Sequence, residues 1–138
     1  LSAQTVFFEG ALEAVHTLRD RGDRLAICTN KPAGLAEQLM RDLKARDFFH
    51  ALIGADTLPV RKPDPAPYTA AVERAGGDVS RSCMIGDTLT DHSTARAVGV
   101  PSILVDFGPG DEDVNALNPD VILSHFADLP DLVEKLLP

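Results

Sequence analysis

Three short clusters in this 138-residue sequence carry side chains able to hold a phosphate beside a cation. The first is Cys28-Thr29-Asn30-Lys31, where a hydroxyl and an amide follow an apolar run. Both can donate to a phosphate oxygen, and the start of the next helix would add backbone N–H groups. The same residue types also favour turns and helix caps. The second cluster is Arg61-Lys62-Pro63-Asp64-Pro65. A lysine followed by proline can balance phosphate charge and hold a carboxylate in place, or simply face solvent from a stiff loop. The third is Ile85-Gly86-Asp87-Thr88-Leu89-Thr90-Asp91. Two aspartates four apart suit Mg²⁺, which binds hard oxygens, keeps several waters and uses few carboxylates. The alternative is helix capping by Asp87, Thr88, Thr90 or Asp91.

These clusters need a frame that brings them together. Apolar residues at Ala11, Leu12, Ala14, Val15 and Leu18 predict a helix from Gly10 to Arg21, stopped by Gly22. The runs Arg24–Thr29, Ala51–Gly54, Ser82–Gly86 and Ser102–Val105 are too short for helices and read as buried parallel strands, with Val121–Leu123 as an edge strand. Between them, helices are expected over Ala33–Lys44, Pro67–Ala75, Asp91–Val98 and Asp128–Leu137. Residues 57–67 and 106–119 read as loops, and Val6-Phe7-Phe8 is a short apolar run without strong chemistry. The alternation predicts an α/β fold, a mostly parallel sheet with helices on both faces, in one domain spanning residues 1–138. Ligands of such sheets sit outside the carboxyl ends of the strands, where all three clusters fall.

Composition narrows the function. Hydrophobic residues make up 44% and charged residues 25%, as in ordinary soluble proteins. The formal charge of −8, with no Lys/Arg stripe, argues against a nucleic-acid partner. The apolar runs are too short for a transmembrane span, so no membrane partner is expected. Cys28 and Cys83 read as buried thiols in a reducing compartment, which makes the cytoplasm the expected location. No basic, apolar, small-residue leader opens the sequence, and the start at Leu1 points to a trimmed or partial chain. His16, His50, His92 and His125 stand at non-ligand spacings and read as surface or helix histidines, with His92 near enough to Asp91 for an outer contact. Phe48 and Phe49 read as core. Phe107, Gly108 and Gly110 read as a solvated loop, and Asp111-Glu112-Asp113 as a solvated charge run on it.

Taken in order, the three clusters resemble the haloacid dehalogenase (HAD) superfamily. Cys28-Thr29-Asn30-Lys31 looks like its second motif, Lys62-Pro63 its third, and Gly86-Asp87-Thr88-Leu89-Thr90-Asp91 its fourth. The resemblance runs from about Gly10 to the C-terminus. Cys28–Pro32, Leu58–Pro67 and Ala95–Pro101 look most like the bacterial phosphoglycolate phosphatase group. The resemblance implies a Rossmann-like core and hydrolysis of a phosphate monoester through a phospho-aspartate, with Mg²⁺ as cofactor. The substrate would be a small phosphorylated metabolite, with 2-phosphoglycolate favoured. Asp87 would be a direct Mg²⁺ ligand, and Asp91 would orient a metal-bound water or Lys62. Thr29 and Asn30 would bind the transferring phosphoryl group, and Lys62 would balance its charge. Rival readings are a β-phosphoglucomutase-like enzyme, a haloacid dehalogenase, or a non-catalytic fragment or binding module. Gly86-Asp87 argues against the dehalogenase, which needs no Mg²⁺.

The family's first motif, Asp-x-Asp-x-Thr, carries the nucleophile and the acid/base, and this sequence has no counterpart. Asp111-Glu112-Asp113 and Asp20-Arg21-Gly22-Asp23 follow no suitable strand end. The resemblance therefore implies that the first strand, which lies between the strands bearing Thr29 and Asp87, is missing from this chain, together with the helical cap. The chain alone is expected to be inactive. A longer protein could hold the missing segment, another chain could supply a strand, or the flanking strands could pair directly. Direct pairing would bring the Cys28 and Cys83 strands from roughly 9–10 Å to about 5 Å, within disulfide reach.

Overall fold

A computed structural model describes residues 10–107 and 113–137. Val6-Phe7-Phe8, Gly108, Gly110, Asp111 and Glu112 lie outside the described residues. Among the described residues, five helices and five strands follow in the expected order: α1 (Ala11–Asp20), β1 (Ala26–Cys28), α2 (Ala33–Asp42), β2 (Ala51–Ile53), α3 (Pro65–Arg74), β3 (Met84–Gly86), α4 (Leu89–Val98), β4 (Ser102–Val105), β5 (Val121–Leu123) and α5 (Leu129–Leu136). In α1 the apolar stripe does what its spacing dictates, burying Ala11, Ala14, Val15 and Leu18. Gly99 ends α4 in the left-handed conformation at φ 87, where a side chain would be strained.

Two helices start two residues earlier than the sequence pattern predicts. Asp64 caps α3 by accepting from the Ala66 N–H at 2.8 Å, with Pro65 in the first turn. Thr88 caps α4 by accepting from the Asp91 N–H at 3.2 Å. Short 3₁₀ turns at Arg46–Phe48, Val79–Arg81, Val114–Leu117 and Phe126–Asp128 have no periodic signature and escape a sequence reading.

All strand pairs among the described residues are parallel, but they form two half-sheets. One is β1-β2, with Ile27 opposite Leu52. The other is β3-β4-β5, with Ile85 opposite Ile103 and Leu104 opposite Ile122. On one face, α1 and α5 bury Val15, Leu18, Leu129 and Val133 against Ile27, Ile103 and Leu123. On the other, Tyr68 and Ala71 of α3 pack with Met84 and Ala95, and with Cys28 and Ile53.

No ladder joins β1 to β3 among the described residues. A cavity of about 390 Å³ lies there instead, with Ala26 and Cys28 among its lining residues from one half-sheet and Met84 and Ile85 from the other. Leu18, Leu129 and Val133 line one wall, and Tyr68, Ala71 and Val72 the other. The family resemblance places a central strand at this position. Direct pairing of the flanking strands is not observed, and Cys28 and Cys83 are free thiols. Burial pushes the Cys28 thiol up and Cys83 up to about 11, so neither is a ready thiolate nucleophile.

Candidate active site

The carboxyl ends of β1 and β3 and the loop between β2 and α3 are tied together by one chain of polar contacts. Lys62 is at its centre. Its Nζ donates to Asp91 Oδ1 at 2.6 Å, and the pair is buried, with Lys62 7% and Asp91 3% exposed. The other Asp91 oxygen accepts from the Asp87 N–H at 3.1 Å and from the Thr88 hydroxyl at 3.1 Å. Every oxygen of this carboxylate is engaged, which is how a buried charge is tolerated. Burial alone would raise the Asp91 carboxyl, but the Lys62 ammonium and the hydrogen bonds outweigh it and hold it below the ordinary value.

The glycine before Asp87 makes this possible. A Cβ on Gly86 would overlap the Asp91 side chain, so only glycine lets that carboxylate lie against the end of β3.

Asp87 is in the opposite situation. It is half-buried, and no ion pair to it is present among the described residues. Burial first, and then the neighbouring Asp91 charge, push its carboxyl above the ordinary value. A carboxylate held at a strand end beside a second negative charge is a place where a cation relieves both costs. Asp91 is already committed to Lys62, so Asp87 is the side chain left to reach a metal. Among the described residues no group of three or more His, Cys, Asp or Glu gathers as a ready metal cage. A single carboxylate oxygen donor fits Mg²⁺, which takes hard oxygen ligands and keeps several waters.

Thr29 sits at the end of β1, 7% exposed. Its N–H extends the β1–β2 ladder to the Ile53 carbonyl at 2.9 Å, and its Oγ accepts from the Lys31 N–H at 3.2 Å. The hydroxyl keeps its proton to donate elsewhere. Asn30 uses its side chain differently from the expected phosphate contact: its Nδ2 donates to the Lys62 carbonyl at 3.1 Å, and its Oδ1 accepts from the Lys62 N–H at 3.2 Å. The start of α2 also differs from expectation. The Ala33 N–H donates to Asp56 Oδ1 at 2.8 Å, so a carboxylate of this chain already takes one of the amides assigned to phosphate. Asp56 had no sequence signal beyond standing in a turn, and only the fold brings it to this helix.

The residues set aside stay apart from this network. His16 pairs with Asp20 at 3.1 Å on an exposed helix face. His50 Nδ1 accepts from the Leu25 N–H at 3.0 Å. His92 lies in helix α4, one of the two expected placements, where it is buried and contacts Ser102 Oγ at 2.9 Å. Asp23 pairs with Arg21, and Asp113 caps the turn at Val114–Leu117.

The order of the three clusters, the parallel half-sheets and the Lys62–Asp91 pair now stand beside the known proteins they match. The haloacid dehalogenase-like hydrolase family matches residues 1–105. The chain belongs to that family. It is 42% identical over 130 residues to a phosphoglycolate phosphatase of Caulobacter vibrioides, covering 94% of this chain and 55% of the relative. It is 43% identical over 131 residues to a phosphoglycolate phosphatase of Agrobacterium fabrum, covering 94% and 56%. Among solved structures, a predicted phosphoglycolate phosphatase from Haemophilus somnus superposes with a TM-score of 0.84 at 25% identity, covering 91% of this chain and 56% of that one. The chain thus spans a little over half the length of these relatives. The HAD relationship and the Rossmann-like α/β core read from the sequence both hold.

Proposed function

We propose that these residues form the phosphate- and cation-binding half of a magnesium-dependent phosphomonoesterase, acting on 2-phosphoglycolate in the longer protein. The observation that carries the reading is the buried Lys62–Asp91 pair, which joins the second and third clusters, while Asn30 brings the first to the Lys62 backbone. Two curated relatives at 42% and 43% identity are phosphoglycolate phosphatases, which favours this substrate over the mutase and dehalogenase alternatives.

In this reading the Thr29 hydroxyl donates to a phosphoryl oxygen and the Lys62 ammonium faces the same group, offsetting its charge. Asp91 holds the ammonium in place. Asp87 would hold Mg²⁺, which when bound offsets phosphate charge. The attacking carboxylate and the acid/base belong to a strand that occupies the gap between β1 and β3, so residues 1–138 alone are inactive. One domain, comprising motifs two to four, is the unit proposed, and cytoplasmic location goes with the free thiols. No helix among the described residues is long and apolar enough to cross a membrane.

The test is magnesium-dependent hydrolysis of 2-phosphoglycolate by the longer protein and by its Asp87→Asn variant. Turnover should fall by at least about 10²-fold in the variant, and added Mg²⁺ should not restore it. Wild-type turnover and metal response in Asp87→Asn would refute the assignment. Hydrolysis by residues 1–138 alone would refute the missing nucleophile.

A further inference from the structure

We infer that Asn30 is a positioning residue for Lys62 and not a ligand of the phosphoryl group. The inference rests on the reading of Lys62 as the residue that balances phosphate charge. Both ends of the Asn30 amide are directed at the backbone of one residue: Nδ2 donates to the Lys62 carbonyl at 3.1 Å, and Oδ1 accepts from the Lys62 N–H at 3.2 Å. A planar amide that both donates to and accepts from one peptide position fixes distance and orientation together, which a single hydrogen bond does not.

The contact matters because of where Lys62 stands. Its loop leaves β2 at Ile53 and enters α3 at Pro65. The nearby hydrogen bonds of Asp64 are local: its N–H goes to the Arg61 carbonyl at 3.0 Å, and its side chain caps α3. Val60 is 40% exposed, so the middle of the loop has little core to rest on. Its start is tied to the β1–α2 turn by the Ala55 N–H, which donates to the Lys31 carbonyl at 2.7 Å, and by Asp56 at the Ala33 N–H. At Lys62 itself, two contacts reach across from β1 and β3, Asn30 at the backbone and Asp91 at the side-chain tip. Asn30 lies one residue beyond Thr29, whose N–H belongs to the β1–β2 ladder. The loop is therefore latched to the sheet beside the residue that faces the phosphoryl group. Aspartate at position 30 would keep the acceptor for the Lys62 N–H but set an anion against the Lys62 carbonyl.

The test measures Lys62 directly and needs no turnover. Amide exchange at Lys62, and the rate at which its ε-amine is reductively methylated, are compared in the wild-type chain and in Asn30→Ala and Asn30→Asp. Exchange at Ile27 and Ile103 reports whether the fold is intact. With those core amides unchanged, Asn30→Ala should speed Lys62 amide exchange about tenfold and make the amine more reactive. In Asn30→Asp the Lys62 N–H should stay closer to wild-type protection than in Asn30→Ala. Lys62 exchange and reactivity within about twofold of wild type in both folded variants would overturn the inference.

In the longer protein, with p-nitrophenyl phosphate as probe, Asn30→Ala should lower turnover, yet add almost nothing in a Lys62→Ala background. A full additional loss there would make Asn30 a direct ligand. If the longer protein hydrolyses no phosphate ester, the exchange and methylation results still decide the role of Asn30, and only the phosphatase reading fails.

Discussion

At the scale of single residues, charge burial decides most of the behaviour. The Lys62–Asp91 pair is almost wholly out of water, so removing one member leaves the other uncompensated. Lys62→Ala should destabilise the fold by about 3–5 kcal/mol, measured by urea unfolding, whereas an exposed pair such as His16–Asp20 should contribute little. The two aspartates predict opposite responses to acid. Asp91 titrates below the unfolded value of 3.8, so its contribution is fully present above that pH and is lost as pH falls through the folded value. Asp87 titrates above 3.8, so it disfavours the fold when ionised, and that cost fades as pH falls through its raised folded value. In the metal-free chain the thermal midpoint should therefore rise slightly on mild acidification, then drop below pH 3.8. Asp87→Asn should remove the rise and keep the drop. A midpoint that only falls from neutral pH in wild type, with no difference in the variant, would contradict these environments.

At the scale of elements, the strand ends do the positioning, and they were the parts least complete in the sequence. The apolar runs announced β4 and β5 with their full bounds, and every other strand within a few residues. The polar clusters at strand ends were visible as residue types, but not as partners. That Asn30 faces the Lys62 backbone, and that Asp56 caps α2, depends on long-range contacts with no local pattern. Gly86 shows the same limit. Its sequence context suggested only a strand end, while the geometry shows that a side chain there collides with Asp91. Gly86→Ala should cost about 1–3 kcal/mol of stability, seen in urea unfolding, and displace Asp91 from Lys62. The companion substitution Gly34→Ala lies in α2 and meets open space, so it should leave stability unchanged or raise it by up to about 1 kcal/mol. Equal effects at the two glycines would show that the close approach at Gly86 is unimportant.

At the scale of the whole molecule, the fold is two parallel half-sheets held by helices on both faces, with a cavity where one more strand would join them. The α/β class was legible because alternation and short apolar runs leave few other architectures. The expectation of a first motif outside this sequence came only through the family resemblance, since no periodicity within residues 1–138 points to it. The gap bears on the proposed function: the groups assigned there to phosphate lie on both sides of it, which predicts that binding and chemistry are separable. A half-site that binds without turning over is the expected behaviour of residues 1–138. The direct measurement is a ¹H–¹⁵N chemical-shift titration of this chain with inorganic phosphate and Mg²⁺. The amides of Thr29, Lys62 and Asp87 should shift together, saturably, and most strongly when both ions are present. Shifts confined to other surfaces, or three unrelated titrations at these residues, would contradict a single shared pocket.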